Sequence, residues 1–158
     1  MTTTDPDTLL RPMISTDLPT VLETEASCYP TPWSQQTFTD CLAAQTKGYR
    51  CYVLLLDDRI IGHAVLTLIR DEAELLNFCL VPAQQGKGLA RGYLDNVITT
   101  VAGQGANKLF LEVRQSNTPA RQLYASAGMH QIGRRKDYYP LGGGREDAIL
   151  MGIEWQFA

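Results

Sequence analysis

The spacing of apolar positions changes along the chain, and each change marks an element. Thr8 to Met13 reads as a short first strand, with Pro12 favouring a sheet edge. Leu18, Val21, Leu22 and Glu25 then recur at helical spacing, behind Thr16 and Asp17, whose side-chain oxygens suit an N-cap. Pro30 and Pro32 deny a helix to Tyr29–Trp33 and make it a loop. Ser34 caps a second predicted helix, on which Phe38, Cys41 and Leu42 share a face. Three apolar runs follow: Tyr49 to Leu56, Ile60 to Ile69 and Ala73 to Val81. Asp57-Asp58 and a turn near Asp71 divide them, and such short connections predict an antiparallel meander. A glycine-bearing loop leads into a helix from about Leu89 to Gly103, a strand from Lys108 to Val113, and a helix from Asn117 to Ala127 stopped by Gly128. Strands near Ile132 to Tyr139 and Asp147 to Trp155 flank Gly142-Gly143-Gly144, a run that would let the hairpin tip move.

This order predicts an α/β fold. The sheet is mixed and largely antiparallel, with about four helices beside it. Its single strand-helix-strand unit supplies a parallel crossover. The 158 residues suit one core, so residues 1–158 are expected to form a single domain.

Composition narrows the function classes. Hydrophobic residues at 44% and charged residues at 20% are an ordinary globular balance. A net charge of -3 offers no basic field for nucleic acid, so no direct nucleic-acid partner is expected. No apolar run is long enough to span a bilayer, and Met1 to Asp7 is polar and acidic, unlike a signal peptide. The expectation is a soluble, cytoplasmic protein without a membrane partner. Cys28, Cys41, Cys51 and Cys79 form no Cys-x-x-Cys pair, and His63 and His130 lie far apart, so no metal site is expected. The cysteines read as reduced thiols packed like small apolar residues, and His63 reads as a packing residue.

The loop Gln85-Gly86-Lys87-Gly88-Leu89-Ala90-Arg91 carries the first chemistry. Glycines let backbone amides approach a ligand, and a helix start adds its dipole, so the segment suits a phosphate. Lys87 and Arg91 could add charge. A plain strand-to-helix turn fits the same residues. A dinucleotide loop is a second alternative: Gly86 and Gly88 match its first glycines, and Glu112 lies about 20 residues beyond Gly92. Against it, Arg91 stands where close packing wants a small residue, and the loop follows four predicted strands.

Further residues sharpen the reading. Gln85-x-x-Gly88-x-Ala90 resembles the pyrophosphate-binding signature of GNAT acetyltransferases. Leu111-Glu112-Val113-Arg114-Gln115-Ser116-Asn117, Ala120, Leu123-Tyr124 and Gly128-Met129 resemble a segment of the bacterial ribosomal-protein-alanine N-acetyltransferases, the RimI type. Tyr29-Pro30-x-Pro32-Trp33-Ser34, Leu76-Asn77, Tyr138-Tyr139-Pro140 and Gly144-Arg145-Glu146-Asp147-Ala148 agree with it, so the resemblance covers nearly the whole chain. It implies a GNAT fold, with the parallel strand pair splayed around acetyl-coenzyme A. It implies that Phe78, Cys79 and Leu80 lie on the strand that bonds the pantetheine arm. Gln85, Gly86, Lys87, Gly88, Leu89, Ala90 and Arg91 would cradle the pyrophosphate, and Asn117 would contact the coenzyme. Glu112 would be the general base and Tyr124 the general acid. Trp33, Tyr138 and Tyr139 would line a groove for the N-terminal segment of a ribosomal protein. Ala90 stands where close relatives carry glycine, and Gly86 replaces a position that is often basic.

The chemistry suits those residue types. An attacking amine must be neutral, the developing oxyanion needs a donor, and the departing thiolate benefits from a proton. At neutral pH roughly a tenth of protein α-amines are already neutral, against well under a thousandth of lysine amines, so a modest base serves an N-terminus. A backbone amide of the Phe78–Leu80 strand is the candidate oxyanion donor. Structural alternatives stand beside these roles. Glu112 could be an ion-pair partner of Arg114 or Lys108, Tyr124 a core residue, Asn117 only a helix cap, and Trp33 and the two tyrosines ordinary loop packing.

Overall fold

The computed structural model describes residues 8–155. Its strands are β1 (Thr8–Pro12), β2 (Tyr49–Leu56), β3 (Arg59–Ile69), β4 (Glu72–Leu80), β5 (Lys108–Arg114), β6 (His130–Leu141) and β7 (Gly144–Glu154). The helices are α1 (Leu18–Cys28), α2 (Gln35–Ala43), α3 (Leu89–Gly103) and α4 (Thr118–Ser126). All seven strands form one sheet in the order β1-β2-β3-β4-β5-β7-β6. Every neighbouring pair is antiparallel except β4 and β5, as the sequence pattern predicts.

Alternation along the strands divides the apolar residues between two layers. Tyr52 and Leu54 of β2 face one way and pack with Tyr93, Leu94, Val97 and Val101 of α3 and Tyr124 of α4. Cys51, Val53 and Leu55 of the same strand face the other way, onto Val21 of α1 and Phe38 and Cys41 of α2. Each large side chain buried in this way contributes about 1.5–3 kcal/mol relative to exposure. The sheet is thus covered by α3 and α4 on one face and by α1 and α2 on the other.

Pairing of β4 with β5 runs only from Glu72↔Lys108 to Leu75↔Leu111. Beyond those residues β4 continues to Leu80 and β5 to Arg114 without pairing, so the sheet opens between them. A register shift helps turn β4: Leu76 is inserted where Val65↔Asn77 gives way to Leu66↔Leu75.

Several local expectations hold. Ser34 Oγ accepts the Thr37 N–H at 3.2 Å, Asn117 Oδ1 accepts the Ala120 N–H at 3.3 Å, and Gly128 follows α4 with φ +97. Others need correction. Asp17 makes no side-chain cap on α1. Its carboxylate instead accepts the Ile14 N–H at 2.8 Å and a paired contact from Arg11 at 2.9 and 3.0 Å, a stronger offer than a helix amide. The last hairpin is longer than predicted, because its strands extend to Leu141 and from Gly144 and leave Gly142-Gly143 as the connection. The cysteines are not all thiols. Cys28, at the end of α1, and Cys79, in β4, are joined by a disulfide with Cα atoms 6.1 Å apart. No close spacing marks the pair, because the packing of α1 on β4 joins residues 51 apart. Cys41 and Cys51 remain free and buried, and burial pushes the Cys51 thiol up to about 12.

Candidate active site at the opened strand pair

The opening presents backbone on one lip. The Val81 N–H bonds Ile61 O on β3 at 2.8 Å, so alternation turns the peptide groups of Phe78 and Leu80 away from β3 and toward the gap. Side chains reach both carbonyls: the Tyr29 hydroxyl donates to Phe78 O, and Gln85 Nε2 donates to Leu80 O at 2.7 Å. The N–H groups of Phe78 and Leu80 face the same gap. Cys79 lies between them, buried, with its side chain tied to Cys28.

At the end of this lip the glycine loop turns into α3. Gly86 and Gly88 adopt φ +76 and +80, and a Cβ added at either would meet nothing within 4 Å. Gly88 is the N-cap of α3 and supplies no side-chain cap, so the first-turn amides meet no side-chain acceptor there. Open space, glycine backbone and a helix start of 15 residues fit a phosphate group. Lys87 is exposed beside them. Leu89 and Ala90 are half-buried where α3 meets the core. Arg91 turns elsewhere: it donates to Asp95 at 3.0 Å and to Ser126 O, at the end of α4, at 2.6 Å.

Glu112 is the first β5 residue beyond the last parallel pair, between buried Leu111 and Val113, and it points to the opposite sheet face from both. Neither Arg114 nor Lys108 is its partner. Arg135 of β6 donates to Glu112 Oε1 at 3.1 Å, Arg114 pairs with Glu146 at 3.0 Å, and Lys108 lies 3.8 Å from Glu72. The second oxygen, Glu112 Oε2, is buried without a partner.

Tyr124 approaches from the α4 layer and is 8% exposed. Burial holds its hydroxyl far above the ordinary range for tyrosine, and the nearby Tyr29 and Tyr139 push the same way. Burial raises Tyr29 and Tyr139 to about 12 each. All three hydroxyls therefore keep their protons at neutral pH. Asn117 is half-buried at the start of α4, one strand-to-helix turn after Glu112.

The aromatic residues divide. Tyr138 and Tyr139 meet edge to face with centroids 5.0 Å apart, and the Arg114 guanidinium lies 4.6 Å from the Tyr139 ring centre. A register shift leaves residues 136–138 of β6 outside the ladder, which resumes at Tyr139↔Glu146. Trp33 instead packs in the α1–α2 layer, with its ring 5.3 Å from Phe38.

The residues that hold the Trp33 loop carry no sequence motif. Glu25, 1% exposed, accepts from Trp33 N–H on Oε2, and from His63 Nε2 and Asn77 Nδ2 on Oε1, all at 2.9 Å. His63 Nδ1 also lies 3.0 Å from Thr24 Oγ1, so it bonds rather than merely packs. These hydrogen bonds hold the Glu25 carboxyl below its ordinary range despite burial. A carboxylate on the apolar face of a predicted helix was the available signal, because a buried charge needs a partner.

Comparison with known proteins places this geometry. The sequence model of the acetyltransferase (GNAT) family matches residues 18–129. The ribosomal protein bS18-alanine N-acetyltransferase of Salmonella typhimurium is 37% identical over 139 residues, 88% of this chain and 92% of the relative. The crystal structure of the ribosomal-protein-S18-alanine N-acetyltransferase from Escherichia coli superposes with a TM-score of 0.86 at 34% identity, covering 96% of each chain. Ard1 from Thermoplasma volcanium shares the fold at 18% identity, with a TM-score of 0.82 over 95% of this chain and 99% of that one.

Proposed function

The chain belongs to the acetyltransferase (GNAT) family, and from that membership we propose that it transfers the acetyl group of acetyl-coenzyme A to the N-terminal α-amine of a protein, specifically the N-terminal alanine of a small-subunit ribosomal protein. The observation that carries this reading is the opening between β4 and β5, with Glu112 at its apex on one face and the buried Tyr124 on the other. We read the chain as a single domain acting in the cytoplasm, where such an acceptor is made. No helix among the described residues is long and apolar enough to cross a membrane.

The coenzyme supplies an acetyl thioester. On this chain, the glycine loop and the first turn of α3 hold its pyrophosphate, with Lys87 adding charge and Asn117 at the side. The Phe78 and Leu80 amides hold the pantetheine arm, and one of them donates to the oxygen that gains charge at the reacting carbonyl. Glu112 takes a proton from the attacking amine on Oε2, the oxygen that Arg135 leaves without a partner. Tyr124 gives its proton to the departing thiolate. An α-amine suits this arrangement, because a single carboxylate is a modest base and cannot efficiently strip an ammonium of lysine type. Tyr138, Tyr139 and the loop that Trp33 anchors flank the entry for the acceptor.

Mass spectrometry tests the proposal directly. A synthetic peptide with N-terminal alanine, a basic body and an internal lysine is incubated with acetyl-coenzyme A and the protein, beside an N-terminally blocked copy. One acetyl group on the free α-amine, absent from the blocked copy, is expected. Acetylation on lysine, or coenzyme binding without any acetylated peptide, overturns it in favour of another acceptor or a non-catalytic acyl-coenzyme A-binding module.

A further inference from the structure

A cavity of about 170 Å³ lies against Glu112, lined by Glu74, Phe110, Ile132, Arg135 and Leu150. Its walls come from β4, β5, β6 and β7, on the sheet face to which Glu112 points. Its charges do not balance. Two carboxylates face it, and one guanidinium answers them through a single contact to Glu112 Oε1. Glu112 Oε2 is buried with no donor. The carboxylates also feel each other: partial burial raises the Glu74 carboxyl, and the Glu112 charge raises it further, with Arg135 opposing. The cavity is therefore short of one positive charge and one N–H donor, and an ammonium group supplies both. Beside them Phe110, Ile132 and Leu150 form apolar walls, and the exposed Glu74 and Arg135 stand at the solvent side, where an incoming ammonium meets them first.

We propose that Glu74 is an acceptor-binding residue, a second carboxylate that draws a cationic amine of the acceptor into the cavity beside Glu112. This rests on the acetyl-transfer reading above. An α-amine reaches the enzyme mostly as its ammonium, since its unperturbed pKa is about 8. Docked between the carboxylates, it passes one N–H proton to Glu112 Oε2 and regains its lone pair, and Glu74 remains as the charge that brought it there. The same chemistry could come from a basic side chain at the second residue of the acceptor.

Steady-state kinetics on the full chain separates these possibilities. Wild type, Glu74→Gln and Glu74→Asp are compared on two alanine-initiated peptides, one with a neutral and one with a basic second residue. Glu74→Gln is expected to raise the KM for peptide about tenfold, the size of one lost charge-assisted hydrogen bond. The kcat and the KM for acetyl-coenzyme A should stay within about twofold of wild type, and Glu74→Asp should recover part of the loss. The salt dependence of kcat/KM should flatten in Glu74→Gln, because the attraction it removes is screened by ions. A loss on both peptides identifies the α-ammonium as the docked group. A loss only on the basic peptide identifies the side chain. An unchanged KM on both peptides, with active wild type, overturns the inference alone. A wild type that acetylates neither peptide overturns the functional reading and this inference with it.

Discussion

The two flanks of the opened strand pair are held in different ways. On the β4 side, Glu25 is fully buried and binds three elements at once: the Trp33 loop, β3 through His63, and β4 through Asn77. The Cys28–Cys79 disulfide ties α1 to the same strand. On the other side, β6 is exposed along most of its length. Near the tyrosines it is held by its ladder to β7, by Arg114, which donates to Pro140 O at 2.8 Å, and by surface contacts, Arg134 to Asp147 at 2.8 Å and Arg145 Nε to Asp137 O at 2.8 Å. Surface ion pairs of this kind contribute little, whereas a buried and fully bonded carboxylate is costly to disturb. The lesson is a division of labour: the flank whose backbone faces the opening is fixed by buried contacts, and the flank that carries the paired tyrosines is held mainly at the surface.

The largest effects should fall where the flanks meet. Glu112→Gln and Tyr124→Phe should each lower kcat by about 10²–10⁴-fold with little change in coenzyme affinity, the range for loss of a general base or acid. Wild-type turnover in one variant would remove that residue's role, and wild-type turnover in both would leave the comparison without a reaction at its centre. Next, Glu25→Ala should destabilise the fold by about 3–5 kcal/mol, because His63 and Asn77 lose a buried partner. Urea denaturation reads this, and a loss below 1 kcal/mol would mean that the fixed flank is not fixed by this carboxylate.

Replacing Cys28 and Cys79 together by serine should cost about 2–4 kcal/mol, since the bond closes a long loop. Thiol titration of the unfolded wild type without reductant checks the premise: only Cys41 and Cys51 should react. A subtler test uses pH. Glu25 has a folded pKa below its ordinary 4.5, so its contribution is complete above that value and is lost as pH falls through the lower folded value. Glu25→Gln should therefore flatten the decline of Tm with acid below about pH 4.5 and leave its shape at neutral pH unchanged. The smallest effect on stability belongs to the other flank. Tyr138→Ala, at a residue 46% exposed, should shift stability by no more than about 0.5 kcal/mol while raising the KM for peptide.

The same contrast explains what could be read from the sequence. The meander, the crossover and the glycine loop are local patterns: alternation, helical spacing and turn residues each act over a few positions. Ser34 and Asn117 were legible as caps because their partners lie three residues on. The fixed flank was not legible, because His63 and Asn77 stand 38 and 52 residues from Glu25 and no periodicity links them. Asp17 misled for a related reason: its expected role was local, and Arg11 from the neighbouring strand offered more. In β6 no side chain is buried, so alternation could not show the register shift that leaves Tyr138 outside the ladder and returns Tyr139 to it, opposite Glu146. Glu112 and Tyr124 were found by resemblance, whereas the Arg135 contact came only with the strand order.

The parting of β4 from β5 has a consequence for how the protein behaves in a crowded solution. An unpaired strand edge is adhesive, and at the rim of a sheet it invites foreign strands and aggregation. Here the edges beyond Leu75 and Leu111 lie in the middle of the sheet, with β1 to β3 on one side and β7 and β6 on the other. A neighbouring polypeptide cannot lie flat against an edge enclosed on both sides, but a slender molecule carrying amides can enter it. Tyr29 and Gln85 already occupy the carbonyls of Phe78 and Leu80, so what the protein keeps of a bare strand is its outward amides, in an interior gap and not at a rim.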